Sequence, residues 1–137
     1  MILERLIRAQ KVIDLLPEII REELINQREF ISDLNRRQLR RGEKGDGTDM
    51  PNYVSRSKQP SAPGKITLFE TGDFYEGIEP LFDDEGNFEN ISIDVKTPFL
   101  VANFGEEILD LTKESEQELR KVLIPNIIKR INEQAVS

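Results

Sequence analysis

The first forty residues carry apolar side chains at helical spacing. The stripe begins with Leu3, Leu6 and Ile7 and continues beyond Pro17 every three or four residues. Because Pro17 cannot donate a hydrogen bond to the preceding turn, it either kinks this helix or begins a new one. Gly42 follows a run of arginines and is typical of a helix end. The pattern predicts a long N-terminal helix, kinked near Pro17, that spans the domain or projects from it.

Residues 42–65 show neither helical nor alternating periodicity and are rich in Gly, Pro, Ser and Asp. The stretch of about 24 residues exceeds the roughly 12–15 that compact domains leave without secondary structure. Such a loop is either disordered or ordered by a partner. We therefore expect a single domain over residues 1–137, with 42–65 as an extended arm between the N-terminal helix and a sheet.

The middle of the chain alternates between apolar and polar residues. The alternation predicts strands over residues 66–70, 78–82 and 88–95. In the third strand, Ile91, Ile93 and Val95 are expected to form the buried face. Gly86 suits the turn between the second and third strands because glycine accepts a positive φ angle.

Two helices are predicted after the sheet. Thr97 and Pro98 suit the start of a short helix that Gly105 ends. Thr112 suits the cap of a last helix, which Pro125 should kink. The order of elements predicts an α+β fold with a long N-terminal helix, a small antiparallel sheet, a short helix and a C-terminal helix kinked near Pro125.

Composition narrows the chemistry that is expected. The 137 residues suit one domain with a modest core and include neither cysteine nor histidine. This removes disulfides, thiol nucleophiles, the commonest general base and the commonest transition-metal ligand. The N-terminal residues lack secretory-signal features, and no apolar run is long enough to span a bilayer. We expect no membrane association, no metal and no cofactor.

Charge is distributed unevenly. Residues 36–65 hold eight basic and three acidic groups, whereas residues 66–137 hold six basic and 16 acidic groups. The cations of this basic segment are Arg36, Arg37, Arg40, Arg41, Lys44, Arg56, Lys58 and Lys65. The segment could pair with the acidic part of another copy, touch nucleic acid, or form a solvated face. Tyr53 is its only aromatic residue, so it lacks the stacking platform of single-strand binders.

Other polar groupings point only weakly to chemistry. The glycine-rich start of the arm lacks the preceding strand and the Gly-Lys-Ser/Thr ending of a phosphate loop. Residues 46–49 lack the downstream glutamate of a calcium loop, and residues 83–85 are typical of a solvated turn. Asp73 and Glu76 could act as an acid–base pair beside Tyr75, although no nucleophile or cofactor motif accompanies them.

The stretch KITLFETGDFYEGI, residues 65–78, places a Thr-Gly pair and two aromatic residues directly after a predicted strand. Thr71 and Gly72 are expected to form a hinge that orients Phe74 and Tyr75. Because neighbouring strand residues face opposite sides, one of these aromatic residues is expected to face outward as a contact residue.

Three stretches together resemble proteins of tailed bacteriophages. They are RRGEKGDGTDMPNY, LFETGDFYEGI and FGEEILDLTKES, and the resemblance covers most of residues 36–125. The second stretch resembles the Thr-Gly segment of head–tail connector, or tail-completion, proteins of the phage neck. In those proteins a strand is followed by Thr-Gly, by bulky residues and by another strand. The three stretches are also similar to gut-phage virion proteins of comparable length.

The resemblance implies a structural, non-enzymatic virion protein that is assembled in the host cytoplasm. Six or twelve copies would form a ring at the portal–tail junction, binding the portal or adaptor protein and tail proteins, with passive contact to DNA in the lumen. The arm would reach a neighbouring subunit, and the basic segment would meet the acidic sheet of the adjacent copy. The implied subunit-interface residues are Arg36, Arg37, Arg40, Arg41, Lys44, Tyr53, Thr71, Gly72, Phe74 and Tyr75.

Two other functions remain open from the sequence. One is a nucleic-acid-binding accessory protein that uses residues 36–65, and it predicts DNA affinity that falls steeply with salt. The other is a small hydrolase that uses Asp73, Glu76 and Tyr75, and it predicts a pocket beside them.

Overall fold

The computed structural model describes residues 2–52, 65–69 and 71–136. It has the predicted α+β architecture. Its elements in chain order are α1 (Ile2–Asn26), α2 (Arg28–Arg40), α3 (Asp73–Glu76), β1 (Ile78–Phe82), β2 (Phe88–Ser92), α4 (Thr97–Phe104), a 3₁₀ turn (Glu106–Leu109) and α5 (Lys113–Val136). Within these ranges, no helix combines the length and the apolar composition that crossing a membrane requires.

The N-terminal helical region is long, but it breaks at Gln27. α1 continues through Pro17, so the alternative in which a new helix begins there is wrong. The Gln27 N–H donates to the carbonyl oxygens of Glu23 and Leu24, at 3.2 and 3.0 Å. The Gln27 carbonyl in turn accepts the N–H of Ile31 at 2.9 Å. Gln27 therefore closes the last turn of α1 and opens the first turn of α2.

α2 lies between two apolar clusters and contributes to both. In the first cluster Ile31 and Leu34 pack with α1 and α5, and its buried members are Leu24, Ile31, Leu34, Leu119 and Leu123. In the second cluster Leu39 packs against the arm, α3 and the start of β1. The buried members of the second cluster are Leu39, Met50, Phe74, Tyr75, Ile78 and Ile108.

The hairpin forms where the sequence predicts it. β1 and β2 pair antiparallel from Ile78 opposite Ser92 to Phe82 opposite Phe88. In the connecting turn Gly86 has a φ of 85°, which confirms its predicted role. The Nε of Arg21 in α1 donates to the Asp83 carbonyl at 3.0 Å, so the hairpin tip lies against α1.

The buried face of β2 is the opposite of the predicted one. β2 ends at Ser92, and the side chains of Ile93 and Val95 are exposed. Asn90 and Ser92 face inward instead, where Ser92 Oγ donates to the Phe74 carbonyl at 2.9 Å. Hydrogen-bonding partners inside the fold therefore outweigh the apolar alternation that the sequence shows.

The predicted strand over residues 66–70 is also wrong. Lys65 makes only an isolated bridge with Asn52, and residues 66–69 form no strand. Leu68 has a φ of 60°, which lies outside the extended region that strand pairing needs. Residue 70 lies outside the described residues.

The two C-terminal helices agree with the prediction except at one cap. Lys96 rather than Thr97 is the N-cap of α4, and Gly105 ends that helix with a φ of 94°. Thr112 Oγ1 accepts the Ser115 N–H at 3.1 Å, which confirms the predicted cap of α5. α5 contains Pro125 and bends by 28°, as predicted.

The first part of the predicted arm packs on its own chain. Glu43 and Asp49 form an antiparallel bridge, and the buried Met50 donates its N–H to the Gly42 carbonyl at 2.7 Å. The Gly45 N–H donates to the Glu107 carbonyl at 2.7 Å, which joins this bridge to the 3₁₀ turn. Residues 53–64 of the arm lie outside the described residues.

The orientation of the hairpin can be tested with one substitution on each face. Ile78 is 2 % exposed and Ile93 is 71 % exposed. We expect Ile78→Ala to lower the free energy of unfolding by about 2–5 kcal/mol, because it leaves a cavity in the core. Ile93→Ala is expected to change it by less than about 0.5 kcal/mol. Urea denaturation measures both, and a larger loss from Ile93→Ala would contradict the observed orientation.

Candidate functional site

Two buried amide side chains of α2 hold the segment that enters α5. Asn35 Nδ2 donates to the Ile108 carbonyl at 2.9 Å, and Gln38 Nε2 donates to the Asp110 carbonyl at 2.8 Å. Gln38 Oε1 also accepts the Thr112 N–H at 2.9 Å. Asn35 and Gln38 are 0 % and 1 % exposed. We call these contacts the amide clamp.

The amide clamp extends to the sheet. Asn90 Nδ2 of β2 donates to Asn35 Oδ1 at 3.4 Å. The Asn35 side chain of α2 therefore bonds to both β2 and the 3₁₀ turn. The sequence places Gln38 on the apolar face of the second N-terminal helix but does not indicate its partners. The sequence feature that points to the amide clamp is the spacing of Asn35 and Gln38, because residues three apart lie on one face of a helix.

The Thr71–Gly72 pair forms a tight turn ahead of α3. Gly72 has a φ of 88°, a conformation that glycine adopts without the strain of a side chain. Thr71 Oγ1 donates to Asp73 Oδ2 at 2.9 Å. The turn leads directly into the helical residues that include Phe74 and Tyr75.

Both aromatic residues are buried, so the expected outward-facing aromatic residue is wrong. Phe74 and Tyr75 belong to α3, where successive side chains are about 100° apart rather than on opposite faces. The Tyr75 hydroxyl donates to the Thr67 carbonyl. Its ring lies edge-on to that of Phe69, with 5.0 Å between the ring centroids.

The structure brings two of the predicted arginines to this aromatic turn. Arg36 Nε donates to the Tyr75 carbonyl at 2.7 Å, and Arg36 Nη2 donates to the Ile78 carbonyl at 3.1 Å. The Arg40 guanidinium lies 5.5 Å from the centroid of the Tyr75 ring, within the range of a cation–π contact. Arg36 and Arg40 therefore contact the aromatic turn of their own chain.

Other predicted cations also contact acidic groups within the chain. Arg37 Nη2 donates to Glu118 Oε2 at 2.5 Å and thereby joins α2 to α5. This hydrogen bond holds the pKa of Glu118 below its ordinary value. Arg41 lies 4.0 Å from Glu43 across a longer ion pair.

The remaining predicted site residues lie in or near the arm. Lys65 Nζ lies 2.8 Å from Asp49 Oδ1. The Lys44 N–H donates to the Thr48 carbonyl at 2.8 Å. Tyr53 lies outside the described residues.

The candidate acidic sites are turns in the structure. Asp46 accepts both the N–H and the hydroxyl of Thr48, which lowers the pKa of Asp46. Asp83 accepts the backbone N–H groups of Asn87 and Glu85, which lowers the pKa of Asp83. Over the described ranges, no three acidic side chains come together as a metal-binding group.

The carboxylates of Asp73 and Glu76 do not lie with the Tyr75 hydroxyl in one site, as the hydrolase alternative requires. Asp73 and Glu76 are exposed, whereas Tyr75 is buried with its hydroxyl bonded to the Thr67 carbonyl. Asp110 is a separate acidic group with a raised pKa. Partial burial is the main cause, and the negative charges of Glu107 and Glu106 add to it.

Among the described residues, two groups of apolar side chains with exposed members lie on α1 and on the hairpin, and other exposed apolar side chains lie on α4 and α5. The first, which we call the helix stripe, lies on the N-terminal half of α1 and consists of Leu3, Leu6, Ile7 and Ile13. The second, which we call the outer sheet face, consists of Leu81, Ile91 and Ile93, bordered by Glu79 and Glu89. Sequence periodicity predicts the helix stripe, but it assigns Ile91 and Ile93 of the outer sheet face to the core.

No family model, no curated protein and no solved structure matches this chain.

The amide clamp predicts a large cost for an isosteric change at Gln38. We expect Gln38→Leu to lower the free energy of unfolding by about 1–3 kcal/mol, because it removes the buried side-chain partner of the Asp110 carbonyl and the Thr112 N–H. The exposed Gln117 of α5 is a matched control, and Gln117→Leu should cost less than about 0.5 kcal/mol. Urea denaturation measures both, and equal effects would contradict the clamp.

The contact between Arg37 and Glu118 predicts a pH-dependent contribution to stability. Because the folded pKa of Glu118 is lowered, the contact stabilises the fold above the ordinary glutamate pKa. This contribution is lost as pH falls through the lowered folded value. We expect the denaturation midpoint of Glu118→Gln to lie below that of the wild type at pH 7, with the difference shrinking below about pH 4. In an Arg37→Gln background, Glu118→Gln should leave the pH dependence unchanged.

Proposed function

We propose that this chain is a structural component of a tailed-bacteriophage virion, namely a head–tail connector or tail-completion ring protein at the portal–tail junction. In this role the folded chain would provide binding surfaces for neighbouring virion proteins. Six or twelve copies would form the ring, which would bind the portal or adaptor protein on one side and tail proteins on the other.

One observation carries the proposal. The three stretches that resemble phage neck and virion proteins are far apart in the chain, yet they pack together beside α2. Met50 of the first stretch, Phe74 and Tyr75 of the second and Ile108 of the third belong to one buried cluster. The Gly45 N–H of the first stretch also bonds to the third stretch. The resemblance therefore follows one continuous part of the fold, as expected of residues that define a scaffold.

The exposed surfaces agree with an assembly role. Monomeric soluble proteins rarely expose large contiguous apolar patches, and such patches commonly mark contacts with other proteins. The helix stripe and the outer sheet face both contain exposed apolar side chains that a neighbouring protein could cover. A protein that binds neighbours on several sides needs such surfaces and needs no catalytic group.

The intrachain contacts of the basic segment limit which of its cations could bind an adjacent copy in the ring. Arg36 and Arg37 are engaged inside the chain, and Arg40 lies over the Tyr75 ring. Of the five interface cations that the resemblance implies, we expect Lys44, and Arg41 at the end of its 4.0 Å ion pair with Glu43, to contribute most to a contact with the acidic surface of an adjacent copy. The same engagement leaves fewer cations for the alternative in which the segment binds nucleic acid.

The proposal predicts that the protein is part of the finished particle. Quantitative mass spectrometry of purified phage particles should find it at six or twelve copies for each portal ring, because a symmetric neck requires a fixed ratio. The portal protein and a known tail protein in the same sample calibrate the count.

Absence from purified particles would overturn the proposal. Binding of the purified protein to double-stranded DNA distinguishes the alternative, which predicts an affinity that falls steeply between about 50 and 200 mM salt. A neck protein should not show this salt-dependent affinity for free double-stranded DNA.

A further inference from the structure

α1 consists of an unpacked part before Pro17 and a packed part after it. We call residues 2–16 the outer segment, and it includes the whole helix stripe. Its residues are exposed except Val12 and Leu16, which are partly buried. Because most helical stability in proteins comes from the packing of an apolar face, the outer segment gains little from the body of the protein.

The part of α1 after Pro17 is anchored by several neighbours. The side chains of Ile19 and Leu24 are buried. Glu22 lies 2.5 Å from Arg130 of α5, and the hairpin tip lies against the same turns of α1. These contacts fix this part of the helix on the body of the protein.

Pro17 weakens the helix between the two parts. Its ring nitrogen has no hydrogen to donate to the Ile13 carbonyl, and the ring crowds that carbonyl. The position before a proline, here Leu16, is also disfavoured in the helical conformation. An interior proline lowers the equilibrium constant for helix formation by about 100-fold relative to alanine. The packed part therefore gives the outer segment little support across Pro17.

Local side-chain pairs in the outer segment are too weak to offset this loss. Gln10 Nε2 donates to Asp14 Oδ1 at 2.8 Å. Glu4 precedes Arg8 by four residues, and Lys11 precedes Asp14 by three. Each such pair favours a helix by about twofold, so three of them amount to about tenfold at most. A helix of about 12–15 residues without tertiary packing is marginal in water, and the outer segment has about this length.

We infer that the outer segment is a conditional helix, which unfolds and refolds while the rest of the protein stays folded. In the free chain it is unfolded for at least about a tenth of the time, which corresponds to less than about tenfold protection of its amides from exchange. A contact that covers the helix stripe shifts the outer segment to its helical state and is therefore coupled to folding.

This inference goes beyond the proposed function. It concerns an equilibrium within the purified chain, so it holds or fails whether or not the protein belongs to a virion.

Amide hydrogen exchange tests the inference in the full-length chain. The measurement uses mass spectrometry of overlapping peptides at low micromolar protein concentration. Amides of residues 6–13 should be protected less than about tenfold relative to an unstructured peptide, because they open with the outer segment alone. Amides of residues 21–26 should be protected at least about 100-fold more strongly, because they open only with the body.

The variant Pro17→Ala tests the role of the proline. It restores a hydrogen-bond donor to the Ile13 carbonyl and joins the two parts of α1 into one cooperative helix. Exchange of residues 6–13 should slow by at least about tenfold, and the helical circular dichroism signal should increase. Exchange of residues 21–26 should not become faster.

A matched pair of alanine-to-glycine variants tests whether the outer segment unfolds separately. Ala9 in the outer segment and Ala102 in α4 are both exposed helical residues. In a helix that unfolds with the body, such a change lowers the folding equilibrium constant about two- to fivefold. We expect this loss in urea denaturation of Ala102→Gly, whereas Ala9→Gly should leave the denaturation midpoint unchanged.

Three outcomes would overturn the inference. The first is equal protection of residues 6–13 and residues 21–26 in the wild-type chain. The second is a Pro17→Ala variant whose outer segment exchanges as fast as in the wild type. The third is an Ala9→Gly variant that lowers the denaturation midpoint as much as Ala102→Gly does, because the outer segment would then unfold together with the body.

Discussion

The fold depends on a buried polar side chain in the last turn of α2. Gln38 binds the Asp110 carbonyl and the Thr112 N–H, so one side chain fixes both the end of the 3₁₀ turn and the start of α5. A buried amide or carbonyl left without a partner costs about 1–3 kcal/mol, which makes this arrangement hard to replace. Since Asn35 holds Ile108 in the same way, α2 positions the C-terminal third of the chain.

The charged residues of α2 extend this organising role to the aromatic turn. Arg36 binds the carbonyl oxygens of Tyr75 and Ile78, which places α3 and β1 against α2. Arg37 reaches α5 on another side of the helix. A run of arginines that looks like a binding segment in the sequence thus serves largely as internal connection. Among the described residues, several of these arginines are therefore held by contacts within the chain.

The surfaces that remain unused by the fold lie at its periphery. The helix stripe projects from the body on the first turns of α1, and the outer sheet face lies on the side of the hairpin that α2 does not cover. Most of their apolar side chains are exposed. The core and these exposed surfaces therefore use separate residues.

Local interactions allowed the sequence by itself to determine several elements. The turn with Gly86, the Thr112 cap and the bend of α5 each follow from interactions within about four residues. The tertiary structure alone decided which face of β2 is buried, because the Phe74 carbonyl and Asn35 bind polar side chains from inside. It also decided that Phe74 and Tyr75 are both buried and which arginines are engaged, since the partners of these residues are distant in the chain.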